Sequence, residues 1–257
     1  MTTKDLHLDI RGAIAIVRLS RGGKRNALSD SLVLGLRGMF ENLPDSTRAI
    51  VLTGEGEHFC AGLDLSELKE RDAGAGMLHS RMWHAALDTV QFGPAPVIAA
   101  LQGAVVGGGL ELASACHVRV ADETTFYALP EGSRGIFVGG GGAVRIPRLI
   151  GAARMADMMF TGRVYNAQEG ERVGFAQYLV PQGQAFDKAM ELAERVAQNA
   201  PLTNYALMHA LPRIAEQPAD QGFLTEALMA AIAQSAPEAK SRVRDFLEGR
   251  ASKVKKE

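Results

Sequence analysis

Short apolar runs that end in glycine, set between helical patterns, restrict the fold of this chain more than any other feature. Arg48-Ala49-Ile50-Val51-Leu52-Thr53 runs into Gly54-Glu55-Gly56 and Ala95 to Leu101 runs into Gly103, while His117-Val118-Arg119-Val120-Ala121 is a third short apolar run, without the glycine. Runs of this kind are strands buried on both faces. Near the start, Leu6-His7-Leu8-Asp9-Ile10 and Ala13 to Leu19 alternate on either side of Arg11-Gly12, the pattern of a hairpin. Ser29 or Asp30 then caps a helix that carries Leu32, Leu36 and Phe40 at helical spacing and stops by Pro44. Strands alternating with helices over roughly the first 180 residues build stacked α/β units, not a helical bundle or an all-β sandwich.

The character changes near Gln184. Ala185 to Ala197 places Phe186, Ala189, Met190, Ala193 and Val196 on one helical face, and helical patterns resume after Pro201, Pro218 and Pro237. The expected organisation is an α/β core over residues 1–183 and an all-helical region over 184–257, packed on that core because no low-complexity linker separates them. The basic end, Lys253-Val254-Lys255-Lys256-Glu257, is expected to be solvated and mobile.

Bulk properties narrow the function by exclusion. The chain is 257 residues long and 47% hydrophobic, enough for a sizeable core. Its formal net charge of -1 supplies no global field for nucleic acid or an anionic membrane, so an anionic ligand must be held by local groups. Cys60 and Cys116 are too few for a disulfide framework and have no metal-site spacing, so reduced thiols and no metal or redox cofactor are expected. The N-terminus lacks the apolar stretch of about 7 to 15 residues of a secretion signal. No apolar run approaches the ~20 residues that span a bilayer. A soluble cytoplasmic protein is the expectation.

Three segments carry candidate chemistry. In Glu57-His58-Phe59-Cys60-Ala61-Gly62-Leu63-Asp64-Leu65, the small Ala61 and Gly62 let backbone approach a ligand while Asp64 caps the next helix; a plain strand-to-helix turn reads the same way. In Gly107-Gly108-Gly109-Leu110-Glu111, three glycines enter a helix at about 1 kcal/mol each relative to alanine. Either their free N–H groups at the positive helix end hold an oxyanion, or they allow close helix-to-sheet packing. Neither a phosphate loop nor a dinucleotide fingerprint is present. The third segment is Pro130-Glu131, with Arg134 and the Gly139 to Gly142 tract, which alone reads as a helix entry with a surface charge pair. Together, the carboxylates of Glu111 and Glu131 beside a pocket of peptide N–H groups suggest proton transfer next to a developing oxyanion.

In this order and combination the segments resemble the crotonase family, the enoyl-CoA hydratases and isomerases, over nearly the whole chain. Lys24-Arg25-Asn26-Ala27-Leu28 is similar to the first CoA-contacting segment of that family, Phe59 to Leu65 to its first oxyanion segment, and Gly107 to Ala113 to its second. The resemblance implies a spiral of ββα units with a helical C-terminal region that makes subunit contacts in a homotrimer or homohexamer. It implies an acyl-CoA thioester substrate, with oxyanion donors at the backbone N–H groups of Leu63 and Gly108. Lys24 and Arg25 are then the local cations for CoA phosphates, and Ala27, Ala61, Asp64, Leu65 and Gly107 lie along the substrate path. Relatives that hydrate enoyl-CoA carry two glutamates, matched by Glu111 and Glu131, so the implied activity is enoyl-CoA hydration with Glu111 as base and Glu131 as proton donor. Coenzyme A is part of the substrate and no separate cofactor is implied.

The chain also departs from the family pattern. Gly132-Ser133-Arg134 and Phe137-Val138 stand where many hydratases have apolar residues and a proline, which leaves the acyl pocket open. The helical segment Ala73 to Leu87, with Met77, Met82, Trp83 and His84, is either core or part of the acyl wall. Double-bond isomerisation, thioester hydrolysis and aromatic enoyl-CoA hydration remain alternatives within the family. A serine hydrolase is disfavoured by the lack of a Gly-x-Ser-x-Gly elbow, and an RNA-binding or other binding module by the lack of a basic stripe.

Overall fold

The computed structural model of the chain describes residues 4–67 and 70–250. The basic end beyond them, for which solvation was expected, lies outside the described residues. Strands β1 (Leu6–Arg11) and β2 (Ile14–Leu19) form the expected antiparallel hairpin, with Gly12 at φ +59° in its turn. Helix α1 (Asp30–Glu41) comes next, capped by Ser29, whose side chain accepts from the Leu32 N–H. Then come β3 (Ala49–Gly54), α2 (Ala73–Gln91), β4 (Val97–Leu101), β5 (Ala104–Val106), α3 (Gly108–Ala115), β6 (Val118–Asp122) and β7 (Phe126–Ala128). After them stand α4 (Gly142–Ile150), α5 (Ala152–Thr161), β8 (Tyr165–Asn166), α6 (Ala167–Val173), β9 (Tyr178–Val180) and α7 (Ala185–Ala197).

The strands make a six-stranded sheet in the order β1-β2-β3-β4-β6-β9, parallel from β2 onward, and a three-stranded sheet β5-β7-β8. The apolar runs are continuous because the larger sheet is covered on both faces. Ile50 and Leu52 belong to the cluster with Leu32 and Leu36 of α1 and Leu87 of α2, whereas their neighbours Ala49 and Val51 pack with Ala189 and Ala193 of α7. Two successive turns of the chain add one strand to the large sheet and one to the small sheet before a helix, β4-β5-α3 and β6-β7-α4. This is the expected crotonase-like α/β arrangement.

The chain divides into two compact units, Met1–Ala197 and Gln198–Glu257. The boundary expected at residue 184 therefore falls one helix early. Helix α7 buries Ala185, Ala189, Leu192 and Ala193 against strands of the large sheet, which makes it part of the first unit although its sequence resembles that of the later helices. The second unit is helical: α8 (Pro201–Tyr205), a π-helical turn (Ala206–Ala210), α9 (Leu211–Ile214), α10 (Ala219–Ser235) and α11 (Pro237–Leu247). Pro201 and Pro237 occupy first helical positions, where the missing N–H has no intrahelical partner to lose. No helix of the described residues is long and apolar enough to cross a membrane.

Candidate active site

The stacking of successive turns brings the three candidate segments together. Cys60 pairs in parallel with Val105, and Val105 with Tyr127, so these three residues form one row across the small sheet. Three positions beyond the row stand Leu63, Gly108 and Pro130, the last followed at once by Glu131. Segments far apart in sequence thus end side by side.

The backbone of residues 60–64 is laced on both sides. The Cys60 N–H donates to Ala104 O and Cys60 O accepts from Val106, while the Leu28 N–H donates to Gly62 O and Leu28 O accepts from Asp64. Hydrogen-bonding groups alternate in direction along an extended chain, so with Gly62 O and Asp64 N turned to Leu28, the Leu63 N–H points the other way. It meets the start of α3. The Leu63 nitrogen lies 3.5 Å from the point a Cβ on Gly108 would occupy, and the Gly108 nitrogen lies 3.4 Å from the corresponding point on Gly62. Neither the Leu63 nor the Gly108 N–H has an acceptor among the described residues. At the first position of α3, Gly108 has no intrahelical acceptor, so its N–H faces outward at the positive end of the helix.

The glycine triplet does three separate jobs. Gly107 has φ +52° and ψ -121°, a conformation that suits glycine, and a Cβ there would stand 2.6 Å from Glu131 Oε1. Gly108 lies under the indole of Trp83, whose Cζ3 is 3.2 Å from its missing Cβ. Gly109 packs on Cys60, whose carbonyl oxygen would clash with a Cβ there. The two readings of the triplet, free donors and close packing, therefore apply to different members of it.

Both carboxyls are buried, Glu111 at 4% exposure and Glu131 at 7%. Glu111 Oε1 accepts from the N–H groups of Gly140 and Gly142, each at 2.8 Å. The glycine tract is thus a helix entry, with Gly141 at φ +99° capping α4, and also a cradle for a carboxylate. Burial pushes Glu111 above its ordinary pKa, opposed by these two N–H groups and by the charge of Arg145. Glu131 is also raised, first by burial, which its own N–H opposes, and then by the charge of Glu111, which Arg134 opposes. Its Oε2 is buried without a hydrogen-bond partner among the described residues. Arg134 is exposed and makes no ion pair with Glu131 among the described residues, so the charge pair expected there acts only at a distance.

Trp83 fills the space between the two glycine segments. Besides its contact with Gly108, its Cε3 is 3.2 Å from the missing Cβ of Gly140, and its Nε1 donates to Asp30 Oδ1 at 3.1 Å. It is buried in the core, whereas Met77, six residues earlier on α2, is exposed.

The expected CoA-contacting residues are only partly free. The Lys24 ammonium binds Asp64 Oδ2 and Ser66 Oγ, each at 2.8 Å, so it is engaged within the protein. Arg21, which sequence reading passed over, donates to the same Asp64 oxygen at 3.0 Å and to Ala27 O at 2.6 Å. The hydrogen bonds from Lys24 and Ser66, then from Arg21, hold the buried Asp64 carboxyl well below its usual range. Asp64 caps a single 3-10 turn (Leu65–Glu67) by accepting from Ser66, while the next α-helix, α2, is capped by Asp72. Arg25, exposed and at φ +51°, makes no ion pair among the described residues, and its carbonyl accepts from the Ala61 N–H. Ala27 is buried and Leu65 half-exposed at the surface of the same segment. Among the described residues no group of His, Cys, Asp or Glu is arranged to hold a metal ion.

The residue most clearly missed from sequence is Arg145. Its guanidinium is buried, with Nη1 donating to Gly140 O at 3.1 Å, Nη2 to Asp88 Oδ1 at 2.6 Å and Nε to Gln91 Oε1 at 2.6 Å. The available signal was its spacing, three residues after Gly142 and hence on the same side of α4 as the Glu111 cradle.

The chain is similar to known proteins over most of its length. The profile of the enoyl-CoA hydratase/isomerase family matches residues 9–257. Enoyl-CoA hydratase EchA19 of Mycobacterium tuberculosis is 31% identical over 253 residues, spanning 96% of this chain and 95% of that protein. The 2,3-dehydroadipyl-CoA hydratase of Escherichia coli is 30% identical over 241 residues, spanning 92% and 93%. A solved structure of a Rhodopseudomonas palustris protein is 59% identical, covers 96% of this chain and 95% of its own, and superposes with a TM-score of 0.93.

Proposed function

Because the chain belongs to the enoyl-CoA hydratase/isomerase family, we propose that it adds water across the 2,3 double bond of an enoyl-CoA thioester, using Leu63, Gly108, Glu111 and Glu131. The observation that carries this reading is the juxtaposition of two peptide N–H groups lacking acceptors with two buried carboxyls. The thioester oxygen takes the place of the missing acceptor. Water adds through its oxygen to C3 and yields a proton to Glu111, while the C2–C3 π pair moves to C2 and the thioester oxygen. The resulting enolate is held by the two N–H groups, where one such donor contributes about 100 to 1000-fold in rate. It then takes a proton at C2 from Glu131, and exchange with solvent restores both carboxyls.

Hydrogen bonding supports this division of roles. Glu111 Oε1 accepts two N–H groups and feels Arg145, which favours the carboxylate that a base must be. An ionised Glu131 would bury an oxygen without a partner beside another negative charge, which favours the neutral acid that a proton donor must be.

In the same reading Lys24, Arg25, Ala27, Ala61, Asp64, Leu65 and Gly107 border the CoA path. Arg25 supplies the cation for phosphate, and Lys24 serves by neutralising Asp64. We place the protein in the cytoplasm as a homotrimer or homohexamer, a reading supported by the exposed Phe223, Leu224, Leu228 and Ile232 of α10. Arg134, exposed close to Glu131, favours a second reading in which the acyl group is polar or anionic, as the name of the dehydroadipyl-CoA relative suggests for that protein.

The test is loss of enoyl-thioester absorbance with crotonyl-CoA, a longer enoyl-CoA and a dicarboxylic enoyl-CoA, with mass spectrometry of the product. A gain of one water is expected. An isomer of unchanged mass, or free CoA, would assign a different reaction to the same site. Trp83 packs against both Gly108 and Gly140, beside the proposed reacting centre, so Trp83→Leu is expected to raise the kcat/KM ratio of octenoyl-CoA to crotonyl-CoA by roughly tenfold. An unchanged ratio would put the acyl wall elsewhere.

A further inference from the structure

Beyond the groups that meet the substrate, we infer that Arg145 is the positioning residue of this site: its guanidinium holds the Gly140 carbonyl so that the Gly140 and Gly142 N–H groups converge on one oxygen of Glu111. The other carboxylate oxygen is then left for water. The inference rests on the reading of Glu111 as the base.

The geometry forms an unbroken chain from the surface to the reacting centre. Asp88, on the exposed side of α2, binds Nη2 at 2.6 Å, and Gln91, one turn further along α2, binds Nε at 2.6 Å. Two bonds to one helix fix the plane of the guanidinium, whose remaining arm reaches Gly140 O at 3.1 Å. The residue Gly140 thus accepts from Arg145 through its carbonyl, while its N–H, in the preceding peptide group, donates like that of Gly142 to Glu111 at 2.8 Å. The Arg145 Nη1 would also clash with a Cβ on Gly141, so only a residue without a side chain lets the arginine reach this loop. A guanidinium at 8% exposure is costly to desolvate, and a requirement to hold this loop accounts for its retention here.

Arg145 has an electrostatic effect as well. The titratable groups that face the Glu111–Arg145 centre are Glu131 after β7, Cys116 at the end of α3, and Asp88 and His84 on α2. Of these and Arg145 itself, Arg145 is the fixed cation, and it favours the ionised form of Glu111.

The experiment compares Arg145→Gln, Arg145→Lys and Asp88→Asn by kcat, KM and the pH profile of enoyl-CoA hydration, with Glu111→Gln as reference. Arg145→Gln is expected to lower kcat by roughly 10 to 100-fold with KM within about threefold, and to move the acidic limb of the profile upward by about half a unit or more. Arg145→Lys keeps the charge but cannot make the fork, so kcat falls and the limb stays. Asp88→Asn leaves the cation less neutralised, so its limb moves downward. Opposite shifts from two halves of one ion pair are not expected of a merely structural contact. If Arg145→Gln does not fold, the lysine and asparagine variants decide by the same signs. Unchanged kcat and pH limbs in folded variants would overturn the inference. Retained hydration in Glu111→Gln would instead remove the reading on which it rests.

Discussion

Glu131→Gln is expected to hydrate crotonyl-CoA at least ~100-fold more slowly than the parent protein, with KM changed by no more than about threefold. The carboxamide has nearly the shape of the acid and fits the same slot beside Gly107, where Glu131 Oε1 comes within 2.6 Å of the missing Cβ. It keeps a donor but has no proton to transfer to C2. Because burial and the neighbouring Glu111 raise the Glu131 pKa, the acid form persists to a higher pH than for a free glutamate, and the parent is expected to lose activity on the alkaline side as that proton leaves. The residual activity of Glu131→Gln should lack this alkaline limb. Steady-state kinetics across pH, with a thermal melt to verify folding, make the check; near-normal turnover would end the assignment of Glu131 as proton donor.

Glu111→Gln should cost hydration about 10² to 10⁴-fold while leaving the protein at least as stable. Its amide oxygen can accept the Gly140 and Gly142 N–H groups in place of Oε1, so the cradle is retained and an amide nitrogen takes the place of Oε2. The base is gone. The stability effect has a definite sign. A carboxyl whose folded pKa lies above its ordinary value of 4.5 binds more protons folded than unfolded, so stability falls as pH rises from the unfolded towards the folded pKa. The glutamine variant escapes that loss, and its melting temperature relative to the parent should rise with pH across this window. Thermal melts from pH 4 upward, beside the rate measurements, separate lost chemistry from lost folding. A fall in both stability and rate would make Glu111 a structural residue.

How much of this could be read from sequence varies from one residue to the next. Strand runs such as Ile50 to Leu52 and the α1 pattern of Leu32, Leu36 and Phe40 are legible because their periods reflect local geometry and burial. The side-chain direction of α4 is not. Val144 is 57% exposed and Arg145 only 8% at its side chain, the reverse of their hydropathies. Arg145 turns inward because Asp88, Gln91 and the Gly140 carbonyl together satisfy its guanidinium, and no local pattern announces partners that lie on another helix. Lys24 is a similar case. Beside Arg25 in sequence it reads as a free cation, yet a carboxylate forty residues away engages it. The place of α7 is a third case, because it resembles the helices after it in sequence, and only its apolar contacts with the large sheet assign it to the first unit.

The amino-acid sequence by itself determined the alternation of strands and helices and supplied both buried glutamates, the glycine triplet and the glycine tract, because these depend on residue type and spacing within one segment. Tertiary structure alone decided that Leu63, Gly108 and Glu131 meet. They do so because parallel pairing puts Cys60, Val105 and Tyr127 in one row, a register set by hydrogen bonds between segments brought together only when successive turns of the chain stack.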